Sequence, residues 1–377
     1  MASPWVSRGI GDAGFLDDGL PSVMARVLYS VSPIGLGHAS RAAAIGMKLG
    51  AKGFELEFAT GGIASSFLRS YGFKVHDIVR EPVPEERDGM MKRPAIWYLR
   101  YWSGYRSTKK RMLDLIDRLR PQLVVGDEEF SSVSLAVEKG IRHVLISDEL
   151  ELGFAQGALS RFIEKRVSRW YTDLQQSVSH LLVPEFGTDR GNTHFVAPVV
   201  REVDKTRDQV LAALDLSPGS SFILFSASGS GIGRFLLGPV LRAFRELRLA
   251  KTALVVTGLN GMPPQENVLY LGVERDNQNL VAAADLVVST AGKSTIDEAA
   301  SYGSPIIAIP IKNHTEQERN ARALGYSYED IDRIGSLITE HLGKRAEPRH
   351  YQGAENIASY ISSLESSDPA VSQDNVK

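Results

Sequence analysis

The sequence predicts an α/β protein made of two tandem, Rossmann-like doubly wound domains whose sheet edges face a common cleft. Three observations carry this. Strand-like and helix-like runs alternate through the first half of the chain. The alternation breaks near residue 200 and then restarts, and both halves place glycine-rich turns where a strand passes into a helix. Such alternation puts helices on both faces of a parallel sheet. A length of 377 residues exceeds one average core and suits two.

In the first half, strand-like runs lie at Arg26–Ser32, Phe54–Thr60, Lys74–Val79, Leu123–Asp127, His143–Ser147 and His180–Val183. Helical patterns fall between them at 39–51, 62–71, 95–119, 131–139 and 155–176. A short run, Thr193–Val200, holds Pro198 and leads into the charged stretch 201–207, where the interdomain linker is placed. The first domain is therefore 25–200 and the second 201–348. Strands of the second are expected at Phe222–Ala227, Thr252–Thr257, Val268–Leu271, Leu286–Ser289 and Ile306–Ile309. Its helices are expected at about 234–248, 277–283, 294–302, 315–324 and 328–342. Residues 1–24 read as a leader, either flexible or packed on the surface through Trp5 and Phe15. The tail 366–377 is polar, contains Pro369 and is expected to be disordered.

Composition removes several classes of function. A net charge of −2 lacks the basic excess that nucleic-acid binding needs. With no cysteine, disulfides, thiolate metal sites and cysteine nucleophiles are excluded. No apolar run has the length of a bilayer span, and the first residues carry acids without an apolar core, unlike a signal peptide. A cytoplasmic protein is the expectation.

Three turns hold the chemistry. Gly35-Leu36-Gly37-His38 joins the first strand to the first helix, with Arg41 one turn further on. Glycine there lets backbone approach a ligand at the carboxyl edge of a sheet, and an imidazole at its mouth can take a proton near neutral pH. A helix-capping or surface role for His38 is the plainer alternative. Asp127 ends another first-domain strand and is a candidate orienting partner for His38, with Glu128 and Glu129 adjacent to it. In the second domain, the turn around Ser228, Gly229 and Gly231 and the turn Gly292-Lys293-Ser294-Thr295 each precede a helix. Backbone amides and a helix dipole at such turns suit phosphate, although simple turn chemistry gives the same residues. The Asp-x-Asp spelling occurs at Asp330-Ile331-Asp332, inside a predicted helix. It reads as a solvated helix face, so no metal site is predicted.

The run from Gly292-Lys293-Ser294-Thr295 through Glu298 to Glu316, Gln317, Asn320 and Ala321, together with the Gly-Leu-Gly-His turn, resembles the nucleotide-sugar site of GT-B glycosyltransferases. It is most similar to the group of the peptidoglycan lipid-intermediate N-acetylglucosaminyltransferase and its archaeal and bacterial relatives. The resemblance covers most of residues 25–345. It implies a UDP-sugar donor, the base bound through backbone at Val273, ribose hydroxyls on Glu298, and sugar hydroxyls near Glu316, Gln317 and Asn320. It also implies an inverting transfer to an acceptor hydroxyl with His38 as base, no cofactor, and a last helix within 349–365 crossing back to the first domain. N-acetylglucosamine is the sugar it suggests. Two alternatives stand beside it. Hydrolases of nucleotide-activated sugars share the fold and a Gly-x-Gly-His-x-x-Arg turn, here Gly35 to Arg41. A non-catalytic sugar-nucleotide binding subunit is the other, and it has no need of His38.

Residues 92–111 combine many Lys and Arg with Trp97, Tyr98, Tyr101, Trp102 and Tyr105, and hold no acid. A basic helix with interfacial aromatics suits an anionic membrane and a lipid-linked acceptor. An amphipathic helix that buries those aromatics explains the pattern equally well.

Overall fold

The computed structural model describes residues 25–83, 85–148, 158–227 and 231–366. The leader 1–24, the tail beyond Ser366, and Ser228 and Gly229 of the predicted donor turn lie outside the described residues.

In chain order, the first domain contains β1 (Arg26–Val31), α1 (Gly37–Ala51), β2 (Glu55–Thr60), α2 (Gly62–Ser70) and β3 (Lys74–Asp77). A small antiparallel hairpin follows, β4 (Glu85–Arg87) and β5 (Met90–Lys92). Then come α3 (Pro94–Leu119), β6 (Leu123–Asp127), α4 (Phe130–Lys139), β7 (Arg142–Ile146), α5 (Ala158–Ser177), β8 (Leu181–Val183) and β9 (Thr193–Phe195). Seven parallel strands form one sheet in the order β3-β2-β1-β6-β7-β8-β9. Tyr29 of β1 stands opposite Phe58 on one side and Val125 on the other.

The second domain contains α6 (Arg207–Ala213), β10 (Ser221–Ser226), α7 (Arg234–Leu247), β11 (Thr252–Thr257), β12 (Val268–Gly272), α8 (Asn277–Ala283), β13 (Leu286–Thr290), α9 (Lys293–Tyr302), β14 (Ile306–Ile309) and α10 (Thr315–Ala323). A 3-10 turn at Tyr328–Arg333 leads to α11 (Ile334–His341), and α12 (Gly353–Ser366) closes the described chain. Its sheet runs β12-β11-β10-β13-β14. In each sheet the connections leave the first strand in both directions, between β1 and β6 and between β10 and β13. A crevice opens at the carboxyl ends there, which is where doubly wound sheets bind ligands.

Packing explains these elements. Strands β6, β11 and β13 are buried along their whole length, as expected for parallel strands covered on both faces. Helix α1 sits close to the sheet because its inner face is small. A Cβ on Gly46 would lie 2.8 Å from the Phe58 ring. Helix α12 returns to the first domain: Ile357, Ala358 and Ile361 are fully buried in the same core as Val27, Ala39 and Ala42. Each such Ile contributes about 1.5–3 kcal/mol by leaving water. At the entrance to α12, Gly353 donates to the Pro198 carbonyl at 3.1 Å, and a Cβ there would collide with backbone.

The structure departs from the sequence reading in three places and decides a fourth that the sequence left open. The β4–β5 hairpin and α6 are additional. The helix expected over 328–342 is broken, because Asp330 accepts from Ser327 N at 2.7 Å and caps a separate 3-10 turn. Asp330 is consequently a buried cap that also pairs with Arg333 at 2.6 Å, and no part of a solvated helix face. Finally, α3 turns Tyr98, Tyr101 and Tyr105 inward, and Trp102 packs edge-on against Trp170 of α5 with ring centroids 5.5 Å apart. These aromatics hold the helix to the protein and are not a membrane-facing row. The outward stripe of α3 is Arg93, Ile96, Leu99, Arg100, Ser103, Arg106 and Lys110, with Leu99 65% exposed.

Candidate active site

The turn after β1 works as its glycines suggest. Gly35 has φ +73°, a region closed to most side chains, and the reversal delivers His38 to the second position of α1. Three residues later on the same helix face, Arg41 lies beside it. Both meet Asp127 at the end of β6, which pairs in parallel with β1 so that Val31 stands opposite Asp127. His38 Nδ1 is 3.3 Å from Asp127 Oδ1. Arg41 Nη2 donates to the same oxygen at 2.5 Å, Nε donates to Oδ2 at 3.0 Å, and Nη1 reaches Asp148 at 3.0 Å. Tyr29 OH donates to Oδ2 at 3.4 Å.

Charge follows from this packing. Burial would raise Asp127, but the Arg41 guanidinium and the His38 bond hold it below the usual carboxylate range. Burial pulls His38 down, yet the Asp127 hydrogen bond outweighs it and the imidazole ends above its ordinary value. Nδ1 also has Arg41 Nη2 at 3.2 Å, a group with donors only, so a proton placed on Nδ1 has the carboxylate as its acceptor. That assignment leaves Nε2 bare as an acceptor.

Of three consecutive acids, Asp127 is therefore the one on His38. Glu128 has φ +51°, accepts from Ser147 Oγ at 2.7 Å and Asp148 N at 2.9 Å, and is pushed up to about 7, mainly by burial. Glu129 caps α4, accepting from Ser131 N and Ser132 N at 3.0 Å each. Asp127 itself is fully buried behind His38 and does not line the cleft. Glu81, which the sequence reading did not single out, accepts from Ser32 Oγ at 2.7 Å beside this turn and is pushed up to about 8 by burial.

Across the cleft, α9 starts at Gly292 with no side-chain cap, and α1 likewise starts at Leu36 with none. The two uncapped N-termini meet: a Cβ on Gly37 would sit 3.0 Å from Ser294 Oγ. Unsatisfied amides and two positive dipole ends thus converge on one space, an arrangement suited to an anion. Lys293 lines the same space, pairing with Asp297 at 3.0 Å and with Glu185 of the first domain at 3.7 Å. Burial pushes Asp297 up to about 6.

The cleft brings together most of the residues singled out in the sequence. Gly35, Gly37, His38 and Arg41 line one wall, and Val273, Gly292, Lys293, Ser294, Thr295, Glu298, Glu316 and Gln317 the other. Gly231, with φ +72°, turns the chain toward α7 and is not on the wall. Asn320 is not among the lining residues; its Nδ2 donates to the Ala291 carbonyl at 3.2 Å, bracing the Gly292 turn. Glu298 is nearly buried and bonded to Arg201 of the linker, 2.8 Å from Nε, while Arg201 Nη1 donates to the Arg275 carbonyl at 2.7 Å. Arg201 and His314, which caps α10 and lines the cleft, were both missed from sequence. Arg201 was legible as the first charge after the apolar run 196–200. Among the described residues, no cluster of three or more acids and histidines is placed to hold a metal ion.

Comparison with known proteins agrees with this geometry. Residues 25–206 match the family described as Glycosyl transferase family 1, and residues 246–331 match the Glycosyltransferase family 28 C-terminal domain. An uncharacterized glycosyltransferase of Methanosarcina acetivorans is 23% identical over 319 residues, covering 78% of this chain and 82% of the relative. The UDP-N-acetylglucosamine–N-acetylmuramyl-(pentapeptide) pyrophosphoryl-undecaprenol N-acetylglucosamine transferase of a Nocardioides species is 26% identical over 301 residues, 74% of each chain. Among solved structures, the glycotransferase of kitacinnamycin shares the fold with a TM-score of 0.59 at 14% identity, over 91% of this chain and 95% of that one. A spinosyn rhamnosyltransferase complexed with thymidine diphosphate shares it at 0.57 and 16% identity, over 90% and 95%. With a glycosyltransferase family match over each domain, relatives named for that activity along three quarters of the chain, and two parallel sheets facing a cleft, the chain is a glycosyltransferase of GT-B fold, similar to the group of the peptidoglycan lipid-intermediate transferase.

Proposed function

We propose that this protein is an inverting, metal-independent transferase that moves a sugar, with N-acetylglucosamine the candidate, from a UDP-sugar to a hydroxyl of a lipid-linked acceptor. The observation that carries the reading is His38, backed by Asp127 and facing the uncapped start of α9 across one cleft. His38 Nε2 takes the acceptor's hydroxyl proton as that oxygen bonds to the anomeric carbon. The bond from that carbon to the diphosphate breaks, and UDP leaves with the electron pair. Asp127 stabilises the imidazolium, and such base catalysis is worth about 10²- to 10⁴-fold. One displacement inverts the anomeric centre.

On the donor side, the amides of Lys293 to Thr295, the two helix dipoles and the Lys293 ammonium meet the diphosphate charge. Val273 backbone holds the base and Glu298 accepts from the ribose. UDP as the nucleotide is supported by the named activity of the Nocardioides relative. Metal independence is supported by the chain's Asp-x-Asp, whose Asp330 is already tied to Ser327 and Arg333; turnover should persist in EDTA. A cytoplasmic position at the membrane surface is part of the proposal. It rests on the arginines and exposed Leu99 of the outer stripe of α3, and no helix among the described residues is long and apolar enough to cross a membrane.

The deciding experiment measures UDP release from a panel of UDP-sugars with and without polyprenyl-diphosphate-linked sugar acceptors. Release that requires the acceptor supports transfer. Equal release without it identifies a UDP-sugar hydrolase of the same fold.

A further inference from the structure

The geometry points to the β4–β5 hairpin as a positioning device that crosses from the first domain to hold the loop 311–317 of the second. The inference rests on the reading of Glu316 and Gln317 in that loop as contacts to the donor sugar.

The hairpin is anchored at its base and docked at its tip. At the base, Trp97 Nε1 donates to the Pro82 carbonyl at 2.7 Å. At the tip, Asp88 and Gly89 have φ +55° and +72°, the pair of left-handed residues of a type I′ turn. The turn pushes the Gly89 carbonyl into the second domain, where it accepts from Lys312 N at 2.7 Å. Met90 and Lys312 form an isolated parallel bridge, three residues beyond the end of β14. Tyr328 OH donates to the Asp88 carbonyl at 3.0 Å. Gly89 is required at this point: a Cβ would lie 2.8 Å from both the Phe235 and Tyr328 rings.

Within its own domain the loop is tied by Lys312 Nζ, 3.1 Å from Glu329 Oε1, and by bonds along its own course. Ile311 N donates to Gln317 Oε1 at 3.1 Å and Asn313 N to Glu318 Oε1 at 2.8 Å, both from within the same loop and helix. These bonds set the loop's own shape. The Gly89–Lys312 bond is what fixes that shape relative to the first domain, and therefore relative to His38. Among the described residues of the hairpin, none shares a hydrogen bond or ion pair with Val273 or Glu298, so the device bears on the sugar and not on the nucleoside.

The test compares wild type with Gly89→Val, whose side chain and positive φ both expel the tip, and with Tyr328→Phe, which removes one hydroxyl and keeps the ring. Amide exchange across 311–317 should rise about tenfold or more in Gly89→Val. UDP-N-acetylglucosamine affinity should fall about tenfold while UDP affinity stays within about twofold. Tyr328→Phe should move both readouts in the same direction by less, with its melting temperature unchanged. Unaltered exchange in Gly89→Val overturns the docking. Equal losses for UDP and the UDP-sugar reduce the hairpin to a general domain clamp and overturn its role toward the sugar. Wild type that binds neither nucleotide overturns the functional reading and the sugar role with it, while the exchange data still decide the docking.

Discussion

His38 Nδ1 lies 3.3 Å from Oδ1 of Asp127, a carboxylate fully removed from solvent whose two oxygens are both held by Arg41. Asp127 ends β6, His38 and Arg41 lie at the start of the helix that follows β1, and the parallel register of β1 with β6 brings them together. A buried carboxylate that stays charged orients an imidazole and favours its protonated form. The expected result is that His38→Ala lowers kcat by about 10²-fold or more with UDP affinity nearly unchanged. His38→Gln, which cannot take the proton, should do little better. Near-normal turnover in a folded His38→Ala protein would remove His38 from the chemistry.

The same pair fixes a pH dependence. A base must be deprotonated to act, and His38 is held above its ordinary value, so turnover should rise with pH through a limb above about 6.5. Asp127→Asn leaves burial and the Arg41 charge, which both lower His38. The limb should then move to lower pH while the maximum rate falls, because the tautomer is no longer enforced. Stability has two signs here. The raised His38 value adds stability below pH about 6.5 that is lost as pH rises through the folded value, whereas the lowered Asp127 value adds stability above the ordinary carboxylate range that is lost in acid. A limb that does not move in Asp127→Asn would show that another group sets the profile.

Much of this arrangement was legible in the sequence, and the failures have physical reasons. Parallel strands buried on both faces write themselves as apolar runs, so β1, β6, β10 and β13 were readable. The Gly-x-Gly-His and Gly-Lys-Ser-Thr turns followed from their place between strand and helix. The hairpin's signal, Asp88-Gly89, was present, but strands of three residues each carry too little periodicity to notice beside it. The aromatics of α3 were ambiguous because composition does not say which stripe of a helix faces the core. The contacts of Arg201 and Asn320 were not legible for a different reason: their partners lie 97 and 29 residues away, and only the fold brings them together.

The outer face of α3 makes a separate prediction. With its aromatics packed inward, membrane attraction rests on Arg93, Arg100, Arg106 and Lys110 around exposed Ile96 and Leu99. Replacing the four basic residues with Ser should abolish sedimentation with anionic liposomes and leave turnover on a soluble acceptor intact. Wild-type binding should weaken with salt, since exposed charges are screened within about 10 Å at 0.1 M. No binding by wild type at low salt would make a soluble acceptor the better substrate to pursue.

The last prediction concerns Glu298, whose carboxylate has two demands on it. In the structure it neutralises Arg201, and both side chains are more than nine-tenths buried. In the proposed complex it also accepts from ribose hydroxyls. Glu298→Ala should therefore lower two quantities at once. Stability should fall by about 3–5 kcal/mol, because a buried guanidinium is left without its partner. UDP affinity should fall by about 1.5–3 kcal/mol through loss of charged hydrogen bonds. The two effects separate in the double variant Arg201→Met with Glu298→Leu, which removes both charges and refills the space. Its melting temperature should recover most of the loss, since apolar replacement of a buried pair is often neutral or better. Its UDP affinity should not recover. Calorimetric binding and thermal unfolding on the same three proteins decide the matter: a double variant that binds UDP as tightly as wild type would show that Glu298 serves the fold alone.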